Sequence, residues 1–154
     1  MILWIDALTN RTQTDVDRAR ELKAKGYESL TPEEKAEWIA GLKGSLNEQD
    51  VLRVQNNIQL LSDTLDIGLT VTTDFSMAPA ESLWAEIYDN VSAVRGAYAI
   101  HHDTPEVPQR PFNTFEKWNA IEQILADVHQ ILNDNFSYYC GGEIYCGDET
   151  GLLL

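Results

Sequence analysis

The run Val51-Leu52-Arg53-Val54-Gln55-Asn56-Asn57-Ile58-Gln59-Leu60-Leu61-Ser62-Asp63-Thr64-Leu65 decides the fold class. Val51, Val54, Ile58, Leu61 and Leu65 recur at spacings of 3, 4, 3 and 4, which places them on one face of a helix. Asn47 precedes the run and Asp50 sits in its first turn, the arrangement of an N-cap. The seam lasts about two heptads, too short for a long coiled coil, so it predicts packing within a bundle.

The same stepping returns at Trp118, Ile121, Leu125, Val128 and Leu132, with Ile124 and Ile131 widening the stripe. It predicts a long helix over Thr114–Asn135. Between the two seams, Trp84, Ile87, Tyr88, Val91, Val94 and Tyr98 predict a helix over Pro79–Ile100, weakened near its end by Gly96. Pro105, Pro108 and Pro111 then forbid a helix and favour an extended, stiff crossing from His101 to Asn113.

Two shorter helices precede the first seam. Thr31 caps one of them, Pro32 takes its first position, and Glu33 and Glu34 load the positive end of its dipole. Trp38, Ile39 and Leu42 form its apolar face, and Gly41 and Gly44 end it. The other is read as capped by Thr14 with Asp17 as the acidic partner, continuing through Val16, Ala19 and Leu22 to Gly26. Gly68 breaks the seam helix, and the β-branched stretch Leu69–Phe75 reads as an extended linker or a short edge strand. Near the end, Ser137–Cys140 and Glu143–Cys146 flank Gly141-Gly142, the pattern of a β-hairpin.

The expected fold is therefore mainly α, about five helices in a bundle-like arrangement with a short C-terminal β-hairpin. Residues 1–67 form a three-helix group and 68–78 an extended joint. Residues 79–136 form two long helices with a Pro-rich crossing, and 137–154 a Tyr-rich hairpin and apolar tail.

Charge narrows the function. The chain carries 11 Lys+Arg against 25 Asp+Glu, a net charge of −14 over 154 residues. Residues 1–44 hold 7 basic and 8 acidic side chains, a net of −1, and residues 45–154 hold 4 and 17, a net of −13. This balance argues against direct nucleic-acid binding and against anionic membrane surfaces. No apolar run approaches the roughly 18 residues of a membrane span. The opening Met-Ile-Leu-Trp-Ile-Asp lacks a basic region and a cleavage site, so synthesis in a cytoplasm is expected.

Candidate chemistry is sparse. His101, His102 and Asp103 adjoin, but no Cys or His recurs at ligand spacing, so no metal site is expected. Cys140 and Cys146 are too few for a disulfide scaffold, and whether they pair is open. His129 is the one base near them, and no spacing supports a nucleophilic pair. The carboxylate pairs Asp15/Asp17, Glu33/Glu34 and Asp63/Asp66 read as caps or solvated faces, and Asp127 and Asp134 as solvent-facing. Phosphate loops, nucleophile elbows and His-Glu-x-x-His runs are absent. No catalytic residue and no cofactor is expected.

The apolar residues left over are more telling. Tyr138, Tyr139, Ile144 and Tyr145 exceed what a two-stranded hairpin can bury, and Leu152, Leu153 and Leu154 form an apolar tail. These seven are the expected partner-binding residues.

Three blocks carry a family resemblance. The first is Asn10-Arg11-Thr12 with Asp15-Val16, Arg18 and Lys25-Gly26, then Leu30-Thr31, Glu34, Glu37-Trp38, Gly41, Lys43-Gly44, Asn47, Asp50 and Arg53-Val54. The second is Thr73-Asp74-Phe75-Ser76-Met77, and the third is Tyr139-Cys140-Gly141-Gly142-Glu143-Ile144-Tyr145-Cys146-Gly147. In these the chain resembles small structural proteins encoded in the tail, baseplate and tail-fibre modules of phages and prophages of gut bacteria. It departs from them at Cys140 and Cys146, where members tend to carry Ser or another small residue.

The resemblance implies a virion structural protein of a phage tail, at the tip, baseplate or fibre attachment. It implies a non-enzyme, made in the bacterial cytoplasm and assembled into the virion tail. Its expected partners are other tail subunits and further copies of itself in threefold or sixfold symmetry. The alternative expectation, resting on the charge, is an acidic adaptor or inhibitor that binds a basic host protein.

Overall fold

Three helices of the computed structural model begin with the same reciprocal cap. The structure describes residues 2–76 and 80–141. Helix α1 spans Gln13–Lys25, α2 Pro32–Ala40, α3 Glu48–Leu65, α4 Ala80–Ala97 and α5 Phe115–Gly141, with a 3-10 turn at Tyr27–Ser29. Thr12 and Asp15 cap α1, Thr31 and Glu34 cap α2, and Asn47 and Asp50 cap α3. In each pair the cap side chain accepts the third helical N–H, and that residue's carboxylate accepts the cap's own N–H. The α1 cap therefore lies two residues before Thr14, the position expected from the sequence.

The mainly helical expectation holds, and no strand occurs among the described residues. The C-terminal hairpin is corrected at its first strand. Helix α5 continues to Gly141, so the backbone of Ser137–Cys140 is helical. Residues 142–154 lie outside the described residues.

Packing divides the chain differently from chain order. The main core joins α3, α4 and α5. It contains Val54 and Ile58 from α3, Ile87, Val91 and Val94 from α4, and Ile121, Ile124 and Val128 from α5, all fully buried. Trp118 stands edge-on to Trp84 and Phe112, with ring centroids 5.6 and 5.8 Å away, and its indole N–H donates to the Phe112 carbonyl at 3.0 Å. A second, small cluster holds Ala19, Leu22, Leu30 and Leu42, with Trp38 against it. It belongs to α1, α2 and their connections. Ile39, expected on the apolar face of α2, lies outside this cluster and is 74 % exposed.

Gly44 joins this small unit to the rest. A Cβ there would stand 2.0 Å from the Asp15 carbonyl oxygen, so only glycine lets the loop pass this close to the start of α1.

Residues 67–75 form a strap and not a free linker. Ile67, Leu69, Val71 and Phe75 pack on the main core. Polar side chains satisfy the strap's backbone. Ser62 Oγ accepts the Leu69 N–H, Glu86 accepts the Thr72 N–H and hydroxyl, and Asn90 donates to the Thr70 carbonyl. Gln55 donates to both the Thr72 carbonyl and Glu86. The crossing after α4 is held likewise by Arg95, which donates to the Pro105 carbonyl at 2.8 Å.

Candidate functional site

The densest polar constellation lies where the N-terminal segment crosses α3 and α5. Residues 2–11 form no helix and run extended over these two helices. Two asparagines act on them as strand edges do. Asn57 on α3 accepts the Ile5 N–H and donates to the Ile5 carbonyl. Asn119 on α5 accepts the Arg11 N–H at 3.2 Å and donates to the Arg11 carbonyl at 2.9 Å. Such pairing gives backbone N–H and C=O groups the partners that burial demands.

Between the two clamps sits a charge quartet. Arg11 donates to Asp50 at 3.1 Å and to Glu122 at 2.9 Å, and Arg53 donates to Asp50 and Glu122 at 2.7 Å each. Glu122 also accepts the Leu8 N–H, and the Leu8 carbonyl accepts a further Arg11 N–H at 2.7 Å. The Glu122 side chain is 1 % exposed and that of Arg11 4 %. Two guanidiniums face two carboxylates, so the quartet is neutral as a unit. Glu122 holds the Arg53 guanidinium yet more firmly protonated than usual, and Asp50 adds to this.

This arrangement is suited to holding and unsuited to proton transfer. Guanidiniums do not give up protons in this range. The Glu122 carboxylate is filled by donors from Leu8, Arg11 and Arg53. Removing one member would leave its partners charged and buried.

Two clefts lie nearby, and Leu46 borders both. One, of about 410 Å³, is bounded by Arg11, Arg20, Leu46, Phe112, Phe115 and Trp118. Arg11 borders it while spending its guanidinium on Leu8, Asp50 and Glu122. The other, of about 450 Å³, is bounded by Lys23, Trp38, Ile39, Leu42 and Leu46.

The histidines are apart. His101 and His102 are exposed with Asp103 on the turn after α4, where Thr104 donates its N–H to the His101 carbonyl. Among the described residues no three metal-binding side chains converge. His129 stacks flat on Trp4, centroids 3.9 Å apart and planes within 5°, and burial lowers its pKa. Cys140 lies eleven residues further along the backbone of α5, about 16 Å by helical rise. Cys146 lies outside the described residues.

Of the expected partner-binding residues, Tyr138 and Tyr139 fall in the last turns of α5. Ile144, Tyr145, Leu152, Leu153 and Leu154 lie outside the described residues. One carboxylate is corrected. Asp127, expected to face solvent, is 7 % exposed and accepts from Thr104 Oγ1 at 2.6 Å and from Gln123 at 2.6 Å.

Sequence reasoning passed over Asn57, Asn119 and Glu122. A signal existed for Glu122, which follows Trp118 by four residues and precedes Leu125 by three, on the flank of the apolar stripe. A carboxylate there needs buried cations. No family model matches the chain, and no curated protein or solved structure matches it either.

Proposed function

We propose that this chain is a virion structural protein of a phage tail, at the tip, baseplate or fibre attachment, and that it works by docking to other tail subunits. The observation that carries this reading is the use to which the resembling residues are put. Arg11, Asp50 and Arg53 belong to the buried quartet. Thr12 with Asp15, Thr31 with Glu34, and Asn47 with Asp50 are the three helix caps. Gly44 is the close approach to α1. These residues serve the framework and not a reaction, as signatures of a structural family should. We read the chain as a non-enzyme on the same ground.

Docking runs through Tyr138, Tyr139, Ile144, Tyr145, Leu152, Leu153 and Leu154, to neighbouring tail subunits and to further copies in threefold or sixfold symmetry. Neither nucleic acid nor membrane is a partner in this reading. Among the described residues no helix is long and apolar enough to cross a membrane. Synthesis in the bacterial cytoplasm precedes assembly into the tail. Mass spectrometry of purified virions is the test. The chain should appear at a fixed ratio to a known tail subunit, and its absence from intact particles overturns the reading.

The net charge of −13 over residues 45–154 favours one second reading, an acidic adaptor or inhibitor of a basic host protein. Capture of a single basic host protein at low salt, lost at high salt, and no place in the virion, would favour it over the first.

A further inference from the structure

We infer that the cleft between α2 and the start of α3 is the receptor for the C-terminal segment, residues 142–154, of a second copy of this chain. The inference rests on the docking reading of that segment, though not on its place in a virion.

Apolar Trp38, Ile39, Leu42 and Leu46 border the cleft together with the polar Ser45, Asn47, Glu48 and Gln49. Leu42 is buried, Trp38 partly so, Leu46 is 38 % exposed and Ile39 74 %. A β-branched side chain standing this far into water beside a tryptophan and two leucines gains most by being covered. Lys23 borders the cleft. It donates to Ser45 Oγ and pairs with no carboxylate among the described residues.

The segment has the matching chemistry. Residues 142–154 contain Ile144, Tyr145, Leu152, Leu153 and Leu154 as apolar groups, Glu143, Asp148 and Glu149 as acids, and no Lys or Arg. Repulsion disfavours meeting another copy through residues 45–154, which carry −13. The region 1–44, with a net of −1, is where an acidic tail meets least resistance; it supplies Lys23, Trp38, Ile39 and Leu42 to the cleft, while Leu46 and Glu48 come from the acidic region.

Reach assigns the tail to another copy. Leu46 borders both this cleft and the one that Phe115 closes, so the receptor lies beside the N-terminal end of α5. The tail leaves from the other end, Gly141, which is about 39 Å away by helical rise. Eleven residues lead from Gly141 to Leu152, a span of about 38 Å when fully stretched. Binding its own cleft would leave no slack for the lateral step. A neighbouring copy has no such constraint. The contact is then head to tail, using two different surfaces, and it closes into a ring or extends into a fibre.

Sedimentation of the full-length chain tests this with three variants. The native chain should self-associate. Ile39→Glu should raise the dissociation constant at least about thirtyfold, the loss expected of a central contact residue. Leu152→Glu, Leu153→Glu and Leu154→Glu combined should do the same. Leu3→Glu, at an apolar residue 65 % exposed elsewhere on the surface, should change nothing. Mixing the groove variant with the tail variant should yield one-to-one pairs and nothing larger, because each supplies the half the other lacks. A monomeric native chain, or a mixture that forms no pairs, overturns the inference. If the tail variant dissociates the assembly and Ile39→Glu does not, the receptor is wrong while docking by the tail stands. If neither has an effect, both fail.

Discussion

Asn57 grips Ile5 at both ends of the residue, accepting its N–H at 3.0 Å and donating to its carbonyl at 2.7 Å. The asparagine is 1 % exposed. Asn57→Ala therefore leaves two backbone groups without partners as well as a small void. The expected loss is about 2–4 kcal/mol in urea unfolding, near the upper range for point changes. Asn57→Asp keeps the acceptor but sets a carboxylate against a carbonyl, so it should cost at least as much. A loss under about 0.5 kcal/mol for Asn57→Ala would mean that the N-terminal segment contributes little to the folded state.

Glu122 should be the most sensitive charge in the chain. Glu122→Gln leaves Arg11 and Arg53 facing Asp50 alone, and a loss of about 3–5 kcal/mol is expected. Removing a matched pair should hurt less. Glu122→Leu with Arg53→Met leaves Arg11 with Asp50, one charge of each sign. The double variant should thus be more stable than Glu122→Gln. Additive losses would show that the four groups are not coupled.

The fold was legible where apolar residues carried it. The seams at Val51–Leu65 and Trp118–Leu132 predict α3 and α5, because a face of the 3.6-residue period must find a partner. In α4 the stripe marks Ile87, Val91 and Val94, which are buried, and misses Leu83 and Asn90, which are buried too. What could not be read is the polar work between segments distant in the chain. Asn57 meets Ile5 across 52 positions and Asn119 meets Arg11 across 108, and no local pattern marks an amide that will serve a remote backbone. The hairpin reading failed at Ser137–Cys140 because β-type composition is a weak preference, and these residues directly extend a helix already 22 residues long. Ile39 is expected on the apolar face of α2, but α2 has only 9 residues and rests on its smaller cluster through Trp38, leaving Ile39 exposed.

The cap of α1 separates two readings of one stretch. Thr12 accepts the Asp15 N–H at 3.3 Å, and Asp15 accepts the Thr12 N–H at 2.8 Å. Thr14 already lies inside the helix. Thr12→Ala should cost about 1 kcal/mol and Thr14→Ala close to nothing, as read by thermal unfolding. The opposite order would restore the cap to Thr14.

Gly44 tests whether the α1–α2 unit is tightly seated. Any Cβ collides with the Asp15 peptide and the Val16 nitrogen at 2.0–2.3 Å, and backbone atoms cannot turn aside as a side-chain tip can. Gly44→Ala should cost about 1–3 kcal/mol or more. Hydrogen exchange should speed up across Gln13–Lys25 and Pro32–Ala40 before it does in α5. Uniform acceleration would mean that the unit is not separable from the main core.

His129 should write its burial into the pH dependence of stability. Its pKa in the folded chain lies below the ordinary 6.5, because desolvation beside Trp4 disfavours the charged ring. Between the folded and the ordinary value the unfolded chain binds more protons than the folded one. Stability from this group is therefore complete above pH 6.5 and is lost as pH falls through the folded pKa. Asp15, Glu21, Glu34 and Asp74 are held below the carboxylate values of 3.8 and 4.5, so their contributions disappear only in more acid solution. The two limbs are separable. His129→Gln should flatten the decline that begins below pH 6.5 while leaving the acid limb in place, and the titrating imidazole proton resonance of His129 should move at a pH below 6.5. An unchanged decline in His129→Gln would mean that the His129 imidazole does not carry it.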